Sequence, residues 1–267
     1  MKNLFFILVF LGSLFTNINA LDKIQTNVLK IAYKEASKYK AKDGHIFNDT
    51  ICAIILTESS AGKYIIGDNY LNGKEKPFIL KSLGVGQVKL ETAIIMISKY
   101  PKEFKKYQYF LHKDKFAFKK YSKYLQNIRY FSYLKDKYKR RIKSHIGNQK
   151  RNKRVLKWIE KELKYNKSKF KPFKKYYYKD LQLAQILLSD LRFNIKISTF
   201  YLIYNYENAI KRGFKNPWFI AISRYNGGYK NIKYYKRVIR NMKIIRKIKR
   251  KGLLWLKKLL KQFKRMT

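Results

Sequence analysis

A single carboxyl group stands at the end of an apolar helix pattern. Residues 48–62 read NDTICAIILTESSAG, in which Ile51, Ile54, Ile55 and Glu58 recur at helical spacing on one face. Asn48 or Asp49 is suited to cap the first turn, and Gly62 to stop the last. The face is apolar and packs inward, which carries Glu58 on the buried stripe in the last turn. Loss of water and the negative end of the helix dipole both disfavour its ionised form. A carboxyl kept partly protonated near neutral pH is what a general acid requires. A glutamate in a last turn is ordinarily a solvated surface group, so the catalytic reading needs support elsewhere in the chain.

Two other strings carry polar groups suited to a sugar or a cleft backbone. Residues 82–93, SLGVGQVKLETA, place Gly84 and Gly86 around Val85, where the absence of a Cβ permits close backbone approach. Gln87 then opens a helix towards Tyr100 and can offer both a donor and an acceptor to a sugar amide. Residues 216–232, NPWFIAISRYNGGYKNI, begin with an Asn-Pro cap and first turn. Phe219, Ile220 and Ile222 pack, and Tyr225, Asn226 and two glycines close that short helix. Each string alone is weak, since most such glycine pairs are turns.

Other chemistries find no residues. Cys52 is the only cysteine, which leaves no internal disulfide and no cysteine metal cluster; inside the Glu58 helix it is expected to be a buried, inert thiol. His45, His112 and His145 show no i,i+4 pairing, so no metal site is expected.

The chain has 267 residues, enough for one sizeable domain or two small ones. With 63 Lys and Arg against 16 Asp and Glu, its formal charge is +47. Hydrophobic residues make up 46% and aromatics 16%, so it can bury a core as a disordered chain cannot. The charge suits polyanionic surroundings: nucleic acid, an anionic membrane surface or acidic cell-wall polymer. A coding bias towards Lys, Ile, Asn and Tyr accounts for it equally well.

Residues 1–20 carry Lys2, an apolar run from Leu4 to Phe15, and Ala20. This is the pattern of a secretory signal peptide cleaved after Ala20, with a run too short to span a membrane comfortably. A first core helix is expected over 21–42, with Ile24, Val28, Ile31 and Ala32 on its inner stripe. A polar, Gly-punctuated loop is expected over 61–81, and it could form one wall of a cleft. Residues 101–179 are dense in Lys and Tyr, and read as a helical insertion with a solvated positive face. Tyr121, Leu125, Ile128, Phe131 and Leu134 mark one of its helices, and the string VLKWIEKEL (155–163) another. Residues 180–206 are expected to form one long buried helix. The tail, 236–267, is basic and amphipathic; it could lie on an anionic membrane surface or pack on the domain.

In chain order, the strings at Glu58, at Gln87 with Thr92-Ala93 behind it, and at Tyr225-Asn226 resemble the lytic transglycosylase (SLT-type) family. The likeness covers 21–100 and 180–235, including Asn194-Ile195. Two departures stand out: the usual Leu-Met before the Gln is Val85-Gly86, and the usual Ala before Tyr-Asn is Arg224. The resemblance implies an all-α, lysozyme-like domain over 21–235, interrupted by the insertion at 101–179. It implies that Glu58 protonates the glycosidic oxygen between N-acetylmuramic acid and N-acetylglucosamine, then accepts a proton from the muramoyl carbon-6 hydroxyl. The product is a 1,6-anhydro sugar, formed without metal or organic cofactor. Tyr225 would hydrogen-bond Glu58, Ser59 would support it, and Gln87 and Asn226 would hold the sugar or the cleft backbone. Expected partners are peptidoglycan strands, met by a monomer in the periplasm or cell envelope; the leader argues against intracellular nucleic acid.

Two rivals remain open from the residues. One is a muramidase of the same fold, using water with Asp68 as base. The other is a non-catalytic basic protein that binds nucleic acid or the anionic envelope, in which Glu58 is structural.

Overall fold

The computed structural model describes residues 21–71, 74–114 and 116–263. The expected signal peptide, 1–20, lies outside them. Helix makes up 72% and strand 4%, so the fold is all-α, with nine helices among the described residues.

Helix α1 (Lys23–Ala36) starts on a capping box, in which Asp22 accepts from the Gln25 backbone and Gln25 accepts in return from the Asp22 N–H. It buries Leu29, Ala32 and Ala36 and ends well before residue 42. Ile24, expected on that stripe, is 65% exposed. Helix α2 (Asn48–Ser59) buries every residue from Thr50 to Ile55, so its first two turns are enclosed on all sides rather than on one face. Neither Asn48 nor Asp49 caps it: Asn48 is already helical, and its amide donates to Ser37 Oγ at 3.1 Å. The chain leaves α2 through three left-handed residues, Ser60, Ala61 and Gly62. Glu58 therefore sits one turn from a strained exit held by tertiary packing.

The expected loop over 61–81 contains short strands. β1 (Ile66–Gly67) pairs antiparallel with β4 (Ser82–Leu83), which pairs with β5 (Val88–Lys89). β2 (Tyr70–Leu71) and β3 (Lys74–Glu75) form a separate hairpin. Helix α3 (Leu90–Lys99) follows β5.

The insertion is a helical hairpin, α4 (Ala117–Lys143) and α5 (Gln149–Phe170), with its own small core of Phe131, Ile159 and Leu163. Its base is tied to α6 (Lys174–Ser189), which begins before residue 179. The Tyr121 hydroxyl donates to one oxygen of fully buried Asp180, and His112 Nε2 lies 2.8 Å from the other.

The long helix expected over 180–206 is two. Asp190 adopts an extended backbone between α6 and α7 (Leu191–Lys211), and its carboxylate accepts the Phe193 N–H at 2.9 Å. An N-cap of this kind satisfies a new helix start, so the break replaces the lost helical bonds. Helix α8 (Pro217–Tyr225) starts on the expected Asn216-Pro217 pair, Asn216 accepting from Phe219 N at 2.9 Å.

Helix α9 (Ile232–Phe263) runs unbroken across the boundary expected at 235/236. Tyr234, Val238, Met242 and Ile245 join the core of α1, α2, α7 and α8. Arg237 and Asn241 bond Thr57 at the end of α2, while Arg246 and Lys249 pair with Asp49 at its start. The two helices are therefore antiparallel neighbours. Of the two alternatives for the tail, 232–250 takes the packed one; residues 264–267 lie outside the described ones. A second core gathers α3, α6, α7 and the base of α4. The turn between β4 and β5 spans both cores: Val85 belongs to the first, Leu83 and Val88 to the second.

Candidate active site

Glu58 occupies the last turn of α2, beneath the start of α9. Burial pushes its pKa above the ordinary value of 4.5, against the pull of Tyr234, Asn226 and Arg237. Desolvation is the largest of these influences. The Tyr234 hydroxyl is buried and bears on the Glu58 charge, which in turn raises the Tyr234 pKa further above its ordinary value. The contact is loose, because Tyr234 Oη completes no hydrogen bond of standard geometry. Asn226 reaches the same carboxyl from the end of α8 and accepts a long bond at 3.4 Å from Asn231. Arg237 donates to the Thr57 carbonyl at 3.3 Å, which sets its charge beside Glu58. The carboxyl thus stays protonated more readily than an exposed one, yet has a phenol, an amide and a guanidinium at hand when it ionises.

Ser59 supports this position directly. It is fully buried, its hydroxyl donates to Ile55 O at 3.1 Å, and it accepts the Gly62 N–H at 3.0 Å. Ser59 thereby helps to close the strained exit of α2, together with the Ala61 N–H on Ile55 O at 3.2 Å and the Gln25 amide on Ser60 O at 3.0 Å.

Tyr225 does something other than expected. Its hydroxyl donates to the Gly86 carbonyl at 2.9 Å, so its only hydrogen is committed to the turn and cannot orient Glu58. It remains near enough for the Glu58 charge to raise its pKa, though burial is the larger cause. Gln87 is also committed. Both hydrogens of its amide go to backbone carbonyls, Tyr64 at 2.9 Å and Gly84 at 3.0 Å, so it does not open α3 or offer a donor to a sugar. Its Oε1 abuts Gly67. Gln87 thus ties the turn to the strand region, through Tyr64 and Gly84.

Asn194 of α7 is what seats the turn. It is buried, accepts the Gly86 N–H at 2.8 Å, and donates to Leu83 O at 2.8 Å and Leu187 O at 2.9 Å. The glycines are required by this approach: a Cβ on Gly84 would enter the Asn194 side chain and lie 2.6 Å from Leu187 O, and one on Gly86 would enter Ser198 Oγ. A methionine at 86 would meet the same obstacle.

The other acids weighed here are spoken for. Asp68 pairs with Lys76 at 2.6 Å and Lys89 at 3.7 Å, and Glu75 with Lys81 at 2.8 Å and with Arg129. Cys52 is buried, its thiol pushed up to about 12 chiefly by desolvation. Among the described residues no group of three His, Cys, Asp or Glu is placed to hold a metal ion.

Comparison with family models, with curated proteins and with solved structures finds no match. The case for function therefore rests on Glu58 and its surroundings. Two of those neighbours, Tyr234 and Arg237, escaped the sequence reading. With 23 tyrosines and a dense run of Lys and Arg, neither stood out; the usable signal was their spacing from the Asn226 string at the start of an amphipathic helix.

Proposed function

We propose that this chain is a peptidoglycan lytic transglycosylase of lysozyme-like fold, acting in the periplasm or cell envelope on glycan strands. The observation that carries the reading is one desolvated carboxyl, Glu58, with its pKa raised by burial, while the other acids weighed, Asp68 and Glu75, are each held in ion pairs. Most glycosidases need two carboxyls across the bond. One suffices when the substrate supplies its own nucleophile.

Protonated Glu58 gives its proton to the oxygen linking N-acetylmuramic acid to N-acetylglucosamine, and the bond from that oxygen to the muramoyl anomeric carbon breaks. Tyr234, Asn226 and Arg237 stabilise the carboxylate that results. The carbon-6 hydroxyl of the same muramoyl residue attacks the anomeric carbon, and Glu58 takes the hydroxyl proton back. The enzyme returns to its starting state, and no water is consumed. A water-using muramidase would need Asp68 as base, and Asp68 is held by two lysines.

Glu58→Gln keeps the shape of the side chain but removes the transferable proton. It should lower the rate of sacculus lysis about 100-fold or more while circular dichroism stays unchanged, since general acid catalysis contributes roughly that much. Lysis at the unaltered rate would contradict the proposal.

A further inference from the structure

Next to Asn226, three side chains form a cluster that the reaction above does not use. Arg212, just beyond α7, and Arg224, in the last turn of α8, both donate from Nη1 to the Tyr229 hydroxyl oxygen, at 2.6 and 2.8 Å. Arg224 also lies over the Tyr229 ring, 4.3 Å from its centroid, and Phe214 stacks on that ring at 5.9 Å. Two guanidiniums are thus held side by side on one neutral oxygen. Neither forms a salt bridge among the described residues, and no acidic residue follows Glu207 in the chain.

Like charges a few ångströms apart repel, and an anion placed between them relieves that repulsion. What it presents is donors only: the remaining guanidinium N–H groups and the Tyr229 O–H. Planar guanidinium forks match the two oxygens of a carboxylate, which they bind in paired, charge-assisted bonds. Arg212 and Tyr229 are exposed, so the donors are open to solvent. Position supplies the rest of the argument. Arg224 is two residues from Asn226, at most about 7 Å along the backbone, and Asn226 reaches Glu58. Arg224 also stands where the string it resembles has alanine.

We propose that Arg212, Arg224 and Tyr229 form a carboxylate site that grips an acidic peptide stem of the glycan strand close to the bond that Glu58 cleaves. This rests on the peptidoglycan reading. The substrate class it implies is peptide-bearing glycan, in preference to strands stripped of their peptides.

The test uses the full chain carrying Glu58→Gln, so that binding is measured without turnover. Its co-sedimentation is followed with intact sacculi and with glycan strands freed of peptide by an amidase. Adding Arg212→Ala with Arg224→Ala should weaken binding to the intact material about tenfold or more, a change of about 1.4 kcal/mol, since the charge-assisted bonds to the carboxylate are lost. Binding to the stripped strands should change less than about twofold. Lys153→Ala with Lys157→Ala, an exposed pair on α5 that removes the same charge, controls for diffuse attraction and should change both equally and little. An equal loss on both materials, a loss no greater than that of the lysine pair, or no loss at all would overturn the carboxylate site while leaving the Glu58 assignment standing. Failure of the Glu58→Gln protein to bind either material would remove the peptidoglycan reading, and this site with it.

Discussion

The Tyr225 hydroxyl donates to the Gly86 carbonyl at 2.9 Å, joining the end of α8 to the turn between β4 and β5. That bond makes Tyr225 a fastener of the backbone around Glu58 rather than a partner of the carboxyl itself. Tyr225→Phe should therefore destabilise the fold by about 1–3 kcal/mol in denaturant unfolding, the cost of a buried carbonyl left without its donor. It should leave the titration of Glu58 in place. A shift of that titration in Tyr225→Phe would show a direct bond that the geometry excludes.

Tyr234 and Arg237 behave in the opposite way. Both pull the Glu58 pKa down against desolvation. Removing either should let it rise, so that Glu58 stays protonated to higher pH. As the acid form starts the reaction, the alkaline limb of the pH–rate profile should move to higher pH in Tyr234→Phe and in Arg237→Ala. The maximal rate should fall in both, because the carboxylate formed after proton transfer loses its support.

Glu58 should also be a stability liability. Its pKa is raised above the ordinary 4.5, so between those two values the native state binds more protons than the unfolded one. Stability therefore falls as pH rises through that window, and the penalty is complete above the raised value. Glu58→Gln should be more stable than the parent at neutral pH by about 0.5–2 kcal/mol, in line with the gains seen when strained functional sites are relaxed. The gain should shrink towards zero as pH falls below 4.5. Thermal unfolding of both proteins across pH reads this directly.

Asn194 makes three hydrogen bonds to the turn and to α6, none of which water can replace in so enclosed a place. Asn194→Ala should destabilise by about 2–4 kcal/mol, because the Gly86 N–H and two carbonyls lose their partner together. Equilibrium unfolding is the check, and a loss under about 1 kcal/mol would mean that the turn is held by other means.

These relationships mark where local pattern is informative and where it ends. A helix with Glu58 in its last turn was legible because helical spacing is a local property, but a one-sided stripe was not: every residue from Thr50 to Ile55 is buried, and Glu58 itself is half-buried. The helices of the insertion were legible for the same reason: Phe131, Ile159 and Leu163 fall on the stripes that the alternation with Lys defines. The break at Asp190 was hidden, since apolar residues continue on both sides and only the extended backbone there makes Asp190 a cap. The direction of a hydrogen bond was hidden too. Nothing in the strings around Tyr225 or Gln87 tells that their donors go to Gly86, Tyr64 and Gly84. Tyr234 stood at the end of the expected domain and Arg237 at the start of the tail, where no local pattern marked either, and only the antiparallel packing of α9 on α2 brings them to the carboxyl.

The central claim is that Glu58 works alone, with the substrate's own hydroxyl as nucleophile. The most direct measurement is the mass of muropeptides released when the full chain digests purified sacculi. The account predicts 1,6-anhydromuramoyl ends, each lighter by one water than a hydrolysed end, and their loss in Glu58→Gln. Reducing ends that carry the added water, or anhydro products still formed by Glu58→Gln, would contradict it.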